Sequence, residues 1–112
     1  MAVLVPLNTF KSLTKTVTNV DQIAYTTPIG VSTVVLLSQF VNITSSSGTV
    51  TAKIVKSGTP TELIKDFAIP GNDAGTVLTG RLVLEEGDQI LISASDLNKF
   101  KFIFSYLETA NA

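Results

Sequence analysis

The densest group of side chains that could do chemistry in this sequence is the acidic run Glu85, Glu86 and Asp88 around Gly87. Two carboxylates facing one cleft could act as an acid and base pair in glycoside hydrolysis, and carboxylate oxygens could also bind Ca²⁺. A Glu-Glu-Gly-Asp run is more typical of a solvated turn in which the glycine adopts an unusual backbone angle. We therefore predict a turn here, with calcium binding and catalysis as less favoured alternatives.

Two residue types that often carry enzyme chemistry are absent from the sequence. There is no His and no Cys, which removes the commonest general base, the usual transition-metal ligands and any Ser-His triad. Catalysis would have to rest on carboxylates, Lys or Tyr alone. We predict no catalytic residue, no cofactor and no metal site, and hence a protein that is not an enzyme.

The charge of the chain argues against nucleic acid as a partner. It has 8 Lys and Arg against 9 Asp and Glu, and its single Arg is Arg81, whereas nucleic-acid-binding domains usually carry basic clusters. Only 15% of the residues are charged and 45% are hydrophobic, which is a low charge content for the surface of a free monomer. We expect part of the surface to be buried against protein partners. The apolar opening at residues 1–7 is too short for a membrane span, so we expect no membrane partner.

The elements that would position these residues are predicted to be strands, because Val, Ile, Thr and aromatic residues dominate. Turn clusters separate the predicted strands at intervals of roughly 8–12 residues, which is typical of a sandwich or a barrel. We predict an all-β fold, a single antiparallel β-sandwich of jelly-roll-like or Ig-like kind with about eight strands. An extended N-terminal arm or edge strand would occupy residues 1–20 and the sandwich domain residues 21–112. Pro70–Gly75 is interpreted as a plain mobile loop.

Two predicted strands show how the sheets should be covered. Thr33–Asn42 has apolar residues on both faces, which indicates a central strand covered on both sides. Lys99–Glu108 alternates strictly, and a buried core is the favoured interpretation of its aromatic face, with a platform for sugars or bases as the alternative. The aromatic residues on that face are Phe100, Phe102, Phe104 and Tyr106.

Two segments are the candidate partner-binding sites. The first is the N-terminal arm, because so many apolar residues would be unfavourable in a free tail, and an extended arm can hydrogen-bond to a partner's sheet edge. Its alternative is a frayed terminus followed by an edge strand. The second is the predicted strand Thr76–Glu85, whose face opposite to the core is expected to contact a second surface. The candidate residues are Val3, Leu4, Val5, Leu7 and Phe10 in the arm, and Val77 and Arg81 in the strand.

From Tyr25 onward the sequence resembles small virion structural proteins of tailed bacteriophages. The shared pattern is a turn with Pro and Gly, a long apolar strand that ends at Asn, a Leu-x-Leu-x-x-Gly-Asp-x-Ile segment and a Ser-x-x-Glu close. Each piece is common among sandwiches, and it is their order along most of the chain that carries the resemblance. The matching residues are Tyr25–Gly30, Thr33–Asn42, Val50–Ile54, Ile69–Pro70, Leu82–Ile90 and Phe104–Glu108.

The resemblance implies a β-sandwich mounted on a virion, assembled in the host cytoplasm and repeated by symmetry. The favoured function is a capsid decoration protein that binds and stabilises the major capsid protein, with a neck, tail or baseplate component as the alternative. A carbohydrate-binding module is a further alternative, although the chain has no Trp to stack on a sugar. We expect other virion proteins as partners, and a homo-oligomer that is a dimer or a trimer.

Overall fold

The computed structural model describes residues 8–77 and 81–110, and this part of the chain consists of strands, turns and irregular connections. Its strands follow the turn clusters of the sequence. In chain order they are β1 (Thr9–Thr16), β2 (Gln22–Thr26), β3 (Val31–Asn42), β4 (Gly48–Lys56), β5 (Thr59–Ile69), β6 (Ala74–Thr76), β7 (Leu82–Leu84), β8 (Gln89–Ala94) and β9 (Phe100–Ala110).

These strands form two antiparallel sheets packed face to face, which confirms the predicted β-sandwich. One sheet has the order β1-β9-β3-β6, with β7 also paired to β3, and the other has the order β2-β8-β4-β5. Because β6 and β7 pair with different parts of the same edge of β3, they are two pieces of one interrupted strand. Counted that way, the described residues form eight strands that pass back and forth between the sheets. This connectivity is the jelly-roll arrangement.

The core between the sheets is built largely by β9. Its aromatic side chains alternate with polar ones, and the rings of Phe100, Phe102 and Phe104 are completely buried. Phe40 lies directly opposite Phe102 on β3, with ring centroids 4.9 Å apart, a spacing typical of favourable aromatic pairs. The aromatic face of β9 is therefore core, and the alternative of an exposed stacking platform is wrong.

The strand β1 is an edge strand of the five-stranded sheet. It pairs with β9 along its whole length, from Thr9 opposite Glu108 to Thr16 opposite Lys101. Val17, directly after it, is completely buried. Residues 9–17 are therefore part of the sandwich. The arm candidates before them, Val3, Leu4, Val5 and Leu7, lie outside the described residues.

The segment predicted as one continuous strand over Thr76–Glu85 is interrupted. The Val77 N–H donates a hydrogen bond of 2.7 Å to the Ser38 carbonyl, which continues the register that pairs Thr76 with Gln39. The strand β7 pairs with β3 in a different register, with Leu82 opposite Val35. Val77 therefore lies opposite the buried Ser38, on the core side of the sheet, and its side chain is 8% exposed. Val77 is thus a core residue and not the partner-facing residue that the alternation predicted. Arg81, its predicted companion, is exposed.

The Pro70–Gly75 connection, predicted to be a mobile loop, is tied to the loop that follows β3. The Asn72 N–H donates to the Thr44 carbonyl, and the Asn42 N–H donates to the Asp73 carbonyl, each at 2.8 Å. A Cβ at Gly71 would lie only 2.3 Å from the backbone of Ser45, so this close approach of two backbones requires glycine. The loop is a packed part of the sandwich end.

Candidate interaction surface

The five-stranded sheet has one face on the core and the other on the outside of the sandwich. Side chains alternate along a strand, so the neighbours of core residues in β3, β7 and β9 point outward. More of these outward positions are apolar than polar, and the polar ones are Ser32, Gln39, Lys101, Ser105 and Thr109. We use the term apolar face for Phe10, Val34, Leu36, Leu37, Val83, Ile103 and Leu107.

Four of these side chains lie side by side across four strands. Phe10 on β1 is opposite Leu107 on β9, Leu107 is opposite Val34 on β3, and Val34 is opposite Val83 on β7. Directly opposite side chains project on the same side with Cβ atoms about 5 Å apart. Phe10 is 72% exposed and Val83 is 54% exposed. This apolar row therefore crosses the sheet from edge to edge without a polar or charged side chain.

A bulge in β3 widens the apolar face. The pairing between β3 and β9 shifts between Val35 and Leu37, and an extra residue in one strand locally changes which way side chains point. As a result, Leu36 and Leu37 are both exposed although they are neighbours in sequence. A shallow pocket borders Leu36, Phe10 and Ser105. The apolar face is therefore not flat, because a shallow pocket lies at its β1 side.

A hydrogen-bond network beneath the start of the apolar row holds β1 in place. Lys11 Nζ donates to Glu108 Oε1 at 2.7 Å, and the Tyr25 hydroxyl donates to Glu108 Oε2 at 2.6 Å. The Tyr25 hydroxyl also lies 2.8 Å from the Thr33 hydroxyl, where either group can be the donor. This Glu108 network joins β1, β2, β3 and β9, and hence both sheets. It fixes the part of β1 that carries Phe10.

The network also sets the charge state of its members. Burial by itself would raise the pKa of Glu108, but the hydrogen bonds from Lys11 and Tyr25 and the Lys11 charge outweigh burial and lower it. Burial, followed by the bond to Glu108, raises the pKa of Tyr25 above the ordinary tyrosine range. Glu108 is therefore an anion held by a cation and a neutral phenol at neutral pH.

The outer face of the four-stranded sheet is built differently. The corresponding cross-strand row runs from Ile23 to Leu91, then to Lys53 and Glu62. Lys53 Nζ also forms a 3.1 Å ion pair with Asp21. Half of this row is therefore charged, which suits a surface in water. We use the term polar face for the outward residues Ile23, Thr49, Thr51, Lys53, Val55, Glu62, Gln89, Leu91 and Ser93.

The acidic run Glu85–Asp88 has structural partners. Gly87 has a φ of +84°, which confirms the predicted turn. The buried Asp88 carboxylate accepts a hydrogen bond from the Glu85 N–H at 2.8 Å and pairs with Lys56, while Glu86 accepts a hydrogen bond from the Gly30 N–H. Within residues 8–77 and 81–110, no three acidic side chains gather where they could hold a metal ion.

The apolar face contains one residue of the predicted partner-binding set, Phe10. Arg81 is exposed just before β7, and Val77 is buried as described above. The residues that pattern reasoning missed come from β3, β7 and β9. The available signal was the long strand Thr33–Asn42 with apolar residues on both faces, because one of those faces has no cover among the described residues of this chain.

Comparison with known proteins finds a likeness in fold. No protein-family model and no curated protein matches the chain. The fold is similar to that of a solved chain from Bacillus endospore appendages, described as a novel family of disulfide-linked pili, with a TM-score of 0.56. The match covers 95% of this chain and 88% of that chain at 13% sequence identity, so it concerns the fold alone. None of the described residues forms a helix long and apolar enough to cross a membrane.

Proposed function

We propose that this chain is a non-enzymatic structural protein of a tailed-phage virion, a decoration protein that covers the capsid and buries its apolar face in the assembly. The observation that carries this proposal is the apolar row from Phe10 to Val83, which crosses the sheet without a charge. A monomer rarely leaves such a continuous apolar surface in water, and such patches commonly mark protein–protein interfaces.

The fold and the sequence pattern support the same proposal. Eight-stranded jelly rolls are common building units of virus particles, and the order of motifs from Tyr25 to Glu108 resembles phage virion proteins. Polar groups of the acidic run, which could have suggested catalysis, are engaged in a turn. A rigid sandwich that bridges neighbouring subunits stabilises a particle because expansion would break several contacts together.

A subunit of a non-covalent protein polymer is a second candidate, favoured by the likeness to the endospore appendage chain. That protein belongs to disulfide-linked pili, whereas the present chain has no Cys. A polymer of this chain would therefore have to rest on surfaces such as the apolar face. Electron microscopy of the purified protein at high concentration would show filaments in this case.

The proposal is tested by counting the protein in purified particles made from the genome that encodes it. Quantitative mass spectrometry should give on the order of hundreds of copies per particle for a repeated decoration layer. About a dozen copies or fewer would assign the chain to the neck, tail or baseplate, and its absence from particles would overturn a virion role.

The contribution of the apolar face is tested on particles that lack the protein. Purified Val83→Lys protein should assemble on such particles at least about tenfold more weakly than wild type, because a lysine would lie on a face that is buried in the assembled layer. Ile23→Lys is the matched control, since Ile23 is 50% exposed in a strand on the polar face. Equal losses for both variants would show that burial of the apolar face does not contribute to assembly on the particle.

A further inference from the structure

The apolar face requires a cover, and the candidates are another protein and a further segment of this chain. The outward side chains of the apolar row carry no charge, so a charged or strongly polar segment would lose hydration there without gaining a partner. A suitable cover is therefore an uncharged apolar segment. The same sequence contains one, directly before the first strand.

The chain outside the described residues at the N-terminus is Met1-Ala2-Val3-Leu4-Val5-Pro6-Leu7, which has no charged side chain and no hydrogen-bonding side chain. Fully extended, the six residues from Ala2 to Leu7 span about 20 Å at about 3.3 Å per residue. The apolar row crosses four strands, a width of about 14 Å at a strand spacing of about 4.8 Å. The arm is therefore long enough to lie over the whole row.

The position of β1 favours an arm from another copy. β1 begins at Thr9, opposite Glu108, and β9 ends two residues later at Ala110. An arm that continues the direction of β1 therefore soon passes the end of the sheet. To reach the apolar face of its own sandwich, the chain would have to reverse within the short stretch between Pro6 and Thr9. A neighbour's arm can reach the same face without a reversal.

We infer that the apolar face binds the N-terminal segment Ala2–Leu7 of a second copy of this chain. This inference rests on the proposed function only in that the apolar face is buried on assembly. The contact joins an arm on one copy to a sheet face on another. Reciprocal exchange of arms between two copies gives a two-fold symmetric dimer, and head-to-tail contacts that close give a ring. Each copy therefore contributes two parts to the contact, the arm and the apolar face, and each part can be changed without the other.

Those two parts can be disabled one at a time in the full-length chain. Leu4→Asp/Val5→Asp places charge in the arm and leaves the face intact, whereas Val83→Lys places charge in the apolar row and leaves the arm intact. Sedimentation velocity should show self-association of the wild type and a weakening of about tenfold or more for each variant. Ile23→Lys should associate like the wild type. Circular dichroism confirms that every variant is folded.

The decisive measurement is a mixture of the two variants. The intact arm of the Val83→Lys chain should bind the intact face of the Leu4→Asp/Val5→Asp chain, so the mixture should associate one to one at a concentration at which each variant alone does not. A mixture that stays monomeric overturns the inference. The inference is also overturned if the wild type is monomeric, or if either variant alone self-associates like the wild type.

Failure here is distinct from failure of the proposed function. An absence of the protein from virions would overturn the virion role and leave a successful mixing experiment standing. An unsuccessful mixture would overturn the arm contact even if particles carried the protein in many copies.

Discussion

The outer faces of the two sheets differ although the sheets share one core. On the five-stranded sheet the cross-strand row is Phe10, Leu107, Val34 and Val83, without a charge. On the four-stranded sheet the row ends in Lys53 and Glu62, and Lys53 also pairs with Asp21. Register shifts lie beside both rows, so the difference between the two faces lies in the side chains that the rows present.

The difference indicates which surface of the sandwich is adapted to water. Sheets of a free jelly roll usually have alternating inward apolar and outward polar residues. The polar face follows that rule at most positions, with Ile23, Val55 and Leu91 as exceptions. The apolar face breaks it over several strands at once, including the central strand β3, where a bulge exposes both Leu36 and Leu37. Outward apolar residues where polar ones are usual are expected at a functional surface.

The largest expected effect is the difference in stability loss between truncating a Phe on the core side of the five-stranded sheet and truncating one on its outer side. Phe102→Ala should lower the free energy of unfolding by about 3 to 5 kcal/mol, because Phe102 is completely buried and its removal leaves a cavity. Phe10→Ala is the matched change on the apolar face and should cost about 0.5 kcal/mol or less in the monomer. Urea unfolding measures both values. The two variants are compared in the Leu4→Asp/Val5→Asp background, so that self-association does not contribute to the measured stability. Similar losses would show that Phe10 acts as core.

The core side of the five-stranded sheet could be predicted from the sequence, whereas the apolar row on its outer side could not. Strict alternation in β9 marks Phe100, Phe102 and Phe104 as buried, because the pattern is local and the strand is continuous. The apolar row joins residues 10, 34, 83 and 107, and their adjacency depends on strand register, which no local pattern contains. The alternation of β7, in which Leu84 faces the core, does not extend back to Val77, because β6 and β7 pair with β3 in different registers and Val77 follows that of β6. What sequence did supply was the apolar character of both faces of Thr33–Asn42.

The next effect concerns the network that holds β1 under the apolar row. Glu108→Gln should lower the free energy of unfolding at pH 7 by about 1 to 2 kcal/mol, because the Tyr25 hydroxyl loses a charged acceptor in a mostly buried place. Urea unfolding at a series of pH values measures the loss. Glu62→Gln, an exposed carboxylate of the polar face, is the control and should change stability little.

The pH dependence of this loss has a defined sign. The pKa of Glu108 is lower in the folded protein than its ordinary value of 4.5, so its contribution is complete above that value and disappears as pH falls through the folded pKa. The stability gap between wild type and Glu108→Gln should therefore be constant near neutral pH and close in acid below about pH 4.5. A gap that stays the same at every pH would show that the carboxylate charge is not involved.

A smaller effect is expected in the binding of a hydrophobic dye, which shows whether the apolar face is exposed to solvent. If a second copy's arm covers it, the Leu4→Asp/Val5→Asp chain should bind a fluorescent hydrophobic dye a few-fold more strongly than wild type, because the face becomes open to solvent. Adding Val83→Lys should reduce this dye fluorescence, whereas adding Ile23→Lys should not. Dye fluorescence that is equal in wild type and arm variant would mean that the arm does not cover the face.

The smallest expected effect is on the polar face. Asp21→Asn removes the ion pair with Lys53, in which the Asp21 side chain is 48% exposed. Exposed pairs of this kind contribute about 0.5 kcal/mol or less, because water and salt already screen both charges. Urea unfolding at low and at high salt should therefore differ little between Asp21→Asn and wild type. A loss as large as that of Glu108→Gln would mean that the polar face depends on its charges for stability. The distinction between a polar face adapted to water and an apolar face that is buried against a partner would then be wrong.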